Sequence, residues 1–293
     1  FFQTNDVNPL NALEYILDDG RPFFDVVVLF SDNVVYNSTM DRVVLQHNEN
    51  INALLNESDV YLQPLRKKGI KVYLGLLPHH TAAGLNNLSE TCARQLATEV
   101  ADAVNEYGLD GVALDDEYYL KDAVYSDCFA GGVSTNVSLE NGARLAYELK
   151  SAMKNTCSWE TGVCVYTVGS FSKLAEMGSV DGHLPGEFID IAVADYGRVA
   201  SPAEGMTLAN CSGGSVELNE RTGSVASKNY GWCMWFAFNP DPNAGDLYNY
   251  SYAMPKFKSA ASSYYGCGIR TPKGYYKKIG SAKFDPKFYE YNY

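Results

Sequence analysis

The sequence alternates short apolar runs with longer stretches of helical periodicity along most of its length. The run FDVVVLF over 24–30 is continuous and β-branched, which is typical of a strand buried on both faces. The stretch 51–69 has apolar residues at helical spacing and ends at a glycine. Short apolar runs of the first kind predict strands at 1–4, 24–30, 70–77, 109–117, 162–169, 188–197, 206–211 and 232–238. Helices are predicted at 51–69, 89–108, 138–155, 216–231 and within 243–266.

This alternation favours parallel strands joined by right-handed crossovers. Eight such units in about 250 residues match the size of a (β/α)8 barrel. The alternative is a doubly wound sheet, which normally has a glycine-rich phosphate turn after its first strand, and residues 4–11 contain no glycine. We therefore predict an α/β fold in which 1–293 form a single (β/α)8 TIM barrel. Some helices are expected to be irregular or missing, with 270–293 as a C-terminal extension.

Composition excludes several classes of partner. The net charge of −12 and the pI near 4.8 argue against a nucleic acid or an anionic membrane. No apolar run approaches the roughly 20 residues that span a bilayer. The 22 Tyr, 13 Phe and 3 Trp offer flat apolar faces that suit sugar rings, although a Tyr-rich core explains them equally well.

The seven cysteines include no C-x-x-C pair and no zinc-type spacing, so neither a metal nor another cofactor is predicted. Cys157 and Cys164 flank a predicted loop and are candidates for a disulfide, which would require an oxidising compartment. Six N-x-S/T sequons also favour a secreted, periplasmic or cell-surface protein. They begin at Asn37, Asn56, Asn87, Asn136, Asn210 and Asn249.

The predicted strand 109–117, LDGVALDDE, ends in three consecutive acids. Burying unpaired carboxylates costs several kcal/mol, so these acids need a structural or chemical reason. Alternate side chains of a strand share a face, which places Gly111, Ala113, Asp115 and Glu117 together on the inner face of a barrel. The two acids then lie at the carboxyl end of the barrel, where barrel enzymes carry out their chemistry.

Two strand rises separate Asp115 from Glu117 by about 6.5 Å between Cα atoms, so their carboxylates can interact. Such a pair raises the pKa of one member, and a carboxyl still protonated near neutral pH can act as a general acid. One alternative is that the acids lie in a solvated loop and have no function. A magnesium or calcium site is weaker still, because no other ligands cluster with them.

The stretch LDGVALDDEYY resembles the D-G-x-D-x-D-x-E signature of glycoside hydrolase family 18. It is more similar to the D-G-V-x-F-D-D-E-Y of endo-β-N-acetylglucosaminidases of the endoglycosidase H and F type. Further resemblance, as far as about residue 266, is carried by 5–31, 61–80, 143–153, 195–197 and 234–240. The middle Asp of the family is Ala113 here, a departure that concerns the pH optimum rather than the activity.

The resemblance implies an endo-β-N-acetylglucosaminidase that hydrolyses the β-1,4 bond between the two core GlcNAc residues of N-linked glycans, of the high-mannose or hybrid type. The implied mechanism is substrate-assisted and retaining. Glu117 would be the general acid and then the base, while Asp115 would orient the 2-acetamido group and stabilise an oxazolinium ion. Tyr196 matches the family tyrosine that hydrogen-bonds the acetamido carbonyl. The implied partners are the N-glycans of glycoproteins, and the enzyme is expected to be monomeric.

Four further residues are predicted to bind substrate. His80 lies in a barrel-mouth loop where the family has a histidine, although a surface role is equally expected of it. Trp235 lies on the eighth strand, where the family often places a tryptophan beneath the −1 sugar, with core packing as its alternative. Asp195 either faces the site or caps its strand, and Tyr118 follows the acid directly.

Two other functions remain open. One is a chitinase-like hydrolase of free β-1,4-GlcNAc polymers, but chitinases often carry an α+β insertion before the final helix, and this chain has no room for it. The other is a catalytically silent, lectin-like barrel, but such barrels usually lose the glutamate that Glu117 supplies. The preference for particular antennae is expected to depend on the loops 118–137, 169–187 and 197–205.

Overall fold

The computed structural model describes residues 2–195, 198–217, 229–236, 238–242 and 250–291. Its strands are β1 Phe2–Gln3, β2 Val26–Asn37, β3 Arg42–Gln46, β4 Lys71–Pro78, β5 Gly111–Leu114, β6 Gly162–Tyr166, β7 Ile191–Val193, β8 Ser212–Glu217, β9 Trp232–Phe236, β10 Gly274–Gly280 and β11 Lys283–Glu290. Its α-helices are α1 Glu49–Asn56, α2 Ser58–Tyr61, α3 Gln63–Lys67, α4 Glu90–Glu106, α5 Leu139–Thr156, α6 Pro185–Phe188 and α7 Tyr250–Ala260. Shorter 3-10 turns lie at Pro9–Glu14, Ala130–Gly132, Gly169–Glu176 and Leu208–Asn210.

The predicted parallel barrel architecture is confirmed. Strands β1, β2, β4, β5, β6 and β7 form one parallel ladder in that order, and β8 pairs with β9 in parallel. An isolated parallel bridge between Ala192 and Cys211 connects the two groups. Within the described ranges no ladder joins β9 to β1, so the hydrogen bonding does not close the barrel there. Irregular helices were also predicted, and α6, which has only four residues, is one of them.

Alternate residues of each strand contribute to two separate apolar layers. The outer layer packs between sheet and helices, and includes Val72, Val112 and Val163. The inner layer fills the barrel with Val28, Tyr73, Ala113, Cys164, Tyr166, Ile191, Val193 and Met234. Tyr73 requires glycine opposite it, because a Cβ on Gly162 would lie 1.9 Å from the Tyr73 hydroxyl oxygen.

The long helices follow from their caps and apolar spacing. Ser89 accepts a hydrogen bond from the Cys92 amide at the start of α4, and Ser138 caps α5 in the same way. Both helices confirm the predictions for 89–108 and 138–155. The predicted helix 51–69 is instead divided into α1, α2 and α3, since the backbone leaves helical geometry at Glu57.

Several predicted boundaries were wrong. The strand predicted for 24–30 continues to Asn37 and returns as β3, an antiparallel hairpin that periodicity did not indicate. The strand predicted for 206–211 is not formed: Leu208–Asn210 is a 3-10 turn, and the strand β8 begins only at Ser212. The acidic strand ends at Leu114 rather than at 117. Most of the helix predicted for 216–231 lies outside the described residues.

The C-terminal extension forms a β10–β11 hairpin that packs against the start of the chain. The Asn8 side-chain amide donates to the carbonyl oxygens of Lys277 and Asp285, each at 3.0 Å. The Tyr61 hydroxyl donates to the Phe284 carbonyl at 2.6 Å. These bonds hold the hairpin in a fixed orientation on the barrel.

Two aspartates brace the amino ends of the barrel strands. Asp110, directly before β5, accepts from the guanidinium of Arg66 and from the Val72 amide at 2.9 Å. Asp190, directly before β7, accepts from Lys150 and from the Val163 amide at 2.7 Å in the same manner. Acids at this end of the barrel are therefore paired and structural.

The disulfide joins Cys92 to Cys128, and the predicted Cys157–Cys164 pair is wrong. Cys164 points into the barrel interior, whereas Cys157 packs against the outer layer at the end of α5, so the two thiols lie on opposite sides of the sheet. None of the described helices has the length and apolar character needed to cross a membrane.

Candidate active site

Asp115 continues β5 by one hydrogen bond and turns its side chain into the barrel mouth. Its amide donates to the Leu76 carbonyl at 3.1 Å, and its side chain lies on the same face as that of Ala113. The residue is only 4% exposed, yet its Oδ1 accepts no hydrogen bond from the described residues. A buried carboxylate oxygen without a donor is able to accept an N–H group from a ligand.

The surroundings of Asp115 disfavour its charged form. Burial raises the pKa of its carboxyl well above the ordinary range, and the negative charges of Glu117, Asp116 and Asp195 raise it further. The acids around Asp115 thus lie where a cation that develops in a reaction would be stabilised, and such a cation would in turn favour the charged form of Asp115.

Glu117 is half-buried beside the same charges. Burial is the main cause of its raised pKa, and the charges of Asp195 and Asp116 add to it. A raised pKa retains the proton closer to neutral pH, as a general acid requires. The arrangement agrees with the predicted division of roles between Glu117 and Asp115, which stays a prediction.

Asp116 is a structural residue that fixes the turn between the two inner acids. Its carboxylate accepts from the Leu85 amide and from the Asn86 side-chain amide, both at 2.6 Å. These bonds lower the pKa of Asp116, but burial is the larger effect and raises it overall. The backbone of Gly169 packs closely against that of Asp116, since a Cβ at position 169 would lie 2.8 Å from the Asp116 carbonyl oxygen. Asp116 thereby anchors the neighbouring loop rather than the substrate.

Tyr166, which sequence reasoning missed, contacts the site through Asp195. It lies on the inner face at the carboxyl end of β6, and its hydroxyl donates to Asp195 Oδ1 at 2.8 Å. The Arg198 guanidinium lies 3.7 Å from the other carboxylate oxygen of Asp195. The alternation of Cys164 and Tyr166 along β6 would have identified this tyrosine as inward-facing. The charge of Asp195 acts on both Asp115 and Glu117, while its predicted contact with substrate stays a prediction.

His80 and Tyr118 lie side by side at the rim. The His80 amide donates to the Tyr118 carbonyl at 3.0 Å, and their ring centroids are 6.3 Å apart. Both residues have positive φ angles, of 50° and 58°, and Tyr118 is 60% exposed. The structure brings both next to Glu117 without testing their predicted contact with substrate.

Trp235 does not lie in the barrel mouth, which corrects the prediction of a sugar contact. Its ring packs in the outer layer against Phe257 of α7, with centroids 4.9 Å apart, and it is 8% exposed. The inward-facing aromatic residue at this end of β9 is Phe236, whose ring lies 5.4 Å from that of Phe30. Tyr196 lies outside the described residues.

Across the ranges that the structure describes, no three side chains of His, Cys, Asp or Glu are grouped as metal ligands would be.

The sequence is similar to two curated enzymes, while no protein-family model matches it. It is 36% identical over 277 residues to endo-β-N-acetylglucosaminidase F1 of Elizabethkingia meningoseptica, covering 91% of this chain and 77% of that enzyme. It is 39% identical over 119 residues to an endo-β-N-acetylglucosaminidase of Flavobacterium sp. (strain SK1022), covering 40% and 37%.

The fold is similar to that of EndoBT-3987 from Bacteroides thetaiotamicron. Its complex with a Man9GlcNAc2Asn substrate superimposes with a TM-score of 0.86 at 37% identity, over 99% of this chain and 69% of that one. Its complex with a Man5GlcNAc product also gives a TM-score of 0.86, at 38% identity, over 99% and 64%.

Proposed function

This chain belongs to the endo-β-N-acetylglucosaminidases of glycoside hydrolase family 18, and we propose that it cleaves the bond between the two core GlcNAc residues of N-linked glycans. The observation that carries the proposal is the pair formed by buried Asp115 and half-buried Glu117 at the carboxyl end of β5. Both carboxyls have raised pKa values, and Oδ1 of Asp115 accepts no hydrogen bond from the described residues, so it can accept one from a ligand.

Glu117 begins the reaction by donating its proton to the glycosidic oxygen. The carbonyl oxygen of the substrate's own 2-acetamido group attacks C1 as the C1–O bond breaks, which closes an oxazolinium ring. The raised pKa of Glu117 supports this role, since the proton must still be present when substrate binds.

Asp115 holds the acetamido group for this attack. Its unoccupied Oδ1 accepts the acetamido N–H, which turns the carbonyl oxygen toward C1. As positive charge develops on the ring, the buried carboxyl and the nearby charge of Asp195 stabilise it without reorganisation. Glu117, now deprotonated, accepts a proton from water as that water attacks C1. The bond between C1 and the acetamido oxygen breaks, which reopens the ring, regenerates the 2-acetamido group and restores the original configuration.

We infer that high-mannose and hybrid glycans are preferred. Support comes from EndoBT-3987, whose structures contain Man9GlcNAc2Asn and Man5GlcNAc. The loops 118–137, 169–187 and 197–205 are proposed to contact the antennae, and the described parts, 118–137, 169–187 and 198–205, follow the carboxyl ends of β5, β6 and β7. The first of these is attached to α4 by the disulfide between Cys92 and Cys128, which limits its movement.

We propose an exported monomer. The disulfide supports an oxidising compartment, as does a glycoprotein substrate. The sequon at Asn87 gives no further support, because its buried side-chain amide donates to the carbonyls of Ala82 and Ser134 and cannot carry a glycan in the folded chain. Light scattering of the purified protein tests the monomeric state.

The experiment is a digestion followed by mass spectrometry. A glycoprotein with high-mannose chains should retain one GlcNAc on each asparagine and release a glycan that ends in one GlcNAc. Glu117→Gln serves as the inactive control, and chitin oligosaccharides and a complex-type glycoprotein serve as competing substrates. Cleavage of chitin alone would favour the chitinase alternative, and glycan binding without cleavage would favour the lectin alternative.

A further inference from the structure

The C-terminal hairpin has a charge opposite to that of the rest of the protein. Residues 270–293 contain six basic and two acidic side chains, a net charge of +4, whereas the whole chain carries −12 and the remainder therefore −16. The basic residues are Arg270, Lys273, Lys277, Lys278, Lys283 and Lys287. The mannose and GlcNAc units of the proposed substrate are uncharged, so the proposed reaction leaves this basic surface without a role.

These cations are not neutralised within the protein. In the described part of the chain, none of the six forms an ion pair with a carboxylate. Arg270 donates to the Asp18 carbonyl at 2.9 Å and Lys278 to the Gly280 carbonyl at 2.6 Å, and both acceptors are neutral. The charge of Asp6 acts on Lys278 without forming an ion pair. The basic side chains are concentrated on the hairpin while the rest of the chain has an excess of acids, so the hairpin is the part of the protein that attracts anions.

Two of the lysines are held in place by one aromatic ring. The Lys277 ammonium lies 4.2 Å from the centroid of Tyr289 and the Lys287 ammonium lies 5.0 Å from it, both cation–π contacts. The Tyr289 hydroxyl donates to Asp285 at 2.6 Å, which fixes the ring. The charge of Asp285 interacts with Lys287 and Lys277, although neither lysine forms an ion pair with it, and its oxygens accept hydrogen bonds from this hydroxyl and from the Lys287 amide at 2.9 Å.

The hairpin is also rigid with respect to the barrel. Asn11 exchanges two hydrogen bonds with the backbone of Tyr276, at 2.9 and 2.7 Å, in addition to the bonds made by Asn8 and Tyr61. A ligand therefore meets two positioned charges, and little conformational entropy is lost when it binds.

We propose that Lys277, Tyr289 and Lys287 form a binding site for an acidic polysaccharide, whose carboxylate or sulfate groups pair with the two ammonium groups. A thin polysaccharide chain can lie along the hairpin alone. A lipid bilayer or duplex DNA would bring its phosphates close to the acidic barrel, within the screening length of about 8 Å, and would be repelled. The site is separate from the acids at the barrel mouth and does not depend on the proposed reaction.

The test is binding of the full chain to a sulfated polysaccharide, heparin, and to polygalacturonate at low ionic strength. Lys277→Gln/Lys287→Gln should weaken both affinities at least tenfold, as expected for two lost charge contacts. The matched control is Lys67→Gln/Lys68→Gln, which removes two exposed lysines from the end of α3 and should leave binding unchanged. Tyr289→Ala tests whether the ring is needed to hold the ammonium groups and should weaken binding while both charges remain.

Equal losses in the two double variants would mean that only net charge matters and would overturn the site. Absence of binding by the wild type would do the same. Phosphatidylglycerol vesicles and duplex DNA are included as competitors, and stronger binding to either through the hairpin lysines would also refute a polysaccharide site. Hydrolysis of a soluble glycopeptide should be the same in all variants, which shows that each is folded.

Discussion

The Tyr166 hydroxyl donates to Asp195 Oδ1 at 2.8 Å, and this bond holds a negative charge beside both inner acids. Asp195 contributes to the raised pKa of Asp115 and is the main electrostatic cause, after burial, of the raised pKa of Glu117. A tyrosine on β6 and an aspartate after β7 thereby influence two carboxyls that follow β5, so the protonation of the site is set by three adjacent strands.

Asp195→Asn should move the alkaline limb of the activity profile to lower pH. Removing the charge lowers the pKa of Glu117, so the general acid loses its proton at a lower pH than in the wild type. The measurement is kcat/KM against pH on a glycopeptide. Asp102→Asn, which removes an exposed acid on α4, is the control and should leave the profile in place. An unchanged profile for Asp195→Asn would contradict the electrostatic role.

Tyr166→Phe should reduce kcat by about tenfold or more, since a hydrogen bond to a charged group is worth about 1.5–3 kcal/mol. The ring still fills the barrel interior, so the thermal midpoint should fall only by the few degrees that loss of this one bond implies. We expect the pH profile to change along with the rate, because Asp195 is no longer held in one orientation. A loss of stability with an unchanged profile would show that Tyr166 only packs.

Glu117→Gln and Asp115→Asn should fail at different steps. Glu117→Gln loses proton donation and acceptance, each worth about 10²–10⁴-fold, and should be almost inactive on natural glycans. Asp115→Asn should cleave poorly as well, yet it should transfer glycan from a preformed sugar oxazoline to a GlcNAc acceptor, because that ring is already closed. Chromatography of transfer products separates the two variants. Wild-type cleavage by Asp115→Asn would contradict the substrate-assisted mechanism.

Asp115→Asn should also change how stability depends on pH. The native pKa of Asp115 is raised well above its unfolded value near 3.9, so the folded chain binds more protons than the unfolded chain in the window above pH 4. Wild-type stability is therefore lowered as pH rises through that window, and the variant does not share this loss. Calorimetry should show the variant gaining in Tm relative to wild type between pH 4 and pH 8. A constant difference would contradict the assignment.

The disulfide determines how many free thiols can be titrated in each chain. Unfolded, unreduced protein should titrate with five thiols per chain, because Cys92 and Cys128 are joined and the other five cysteines are free. Replacing both with serine should lower the free energy of unfolding by about 2–4 kcal/mol, mainly by releasing the unfolded chain. Seven reactive thiols in the wild type would contradict the pairing, and that result would also remove this support for export.

Periodicity was most reliable where a strand is buried on both faces. The apolar runs 24–30 and 109–114 both identified barrel strands. The alternation along β5 also placed Asp115 on the inner face and Asp116 on the outer face, as the structure does. The prediction for Trp235 came from the family resemblance instead, and it was wrong because the packing of β9 turns this side chain outward against Phe257. The hairpin of β2 and β3 was missed because its turn contains no glycine, which is one of the residues that mark a turn in a sequence.

The sequence by itself determined the parallel barrel, its long capped helices and the acids at the end of one strand, because each is indicated by local patterns: apolar periodicity, capping residues and the alternation of strands with helices. Only the tertiary structure decided which residues meet across the chain. Cys92 pairs with Cys128 across 36 residues, Tyr166 reaches Asp195 from the next strand, and the basic hairpin docks on Asn8 at the opposite end of the sequence. Such contacts depend on how separate elements pack, and burial then decides that Asp110 is a paired brace while Asp115, five residues later, keeps an oxygen for a ligand.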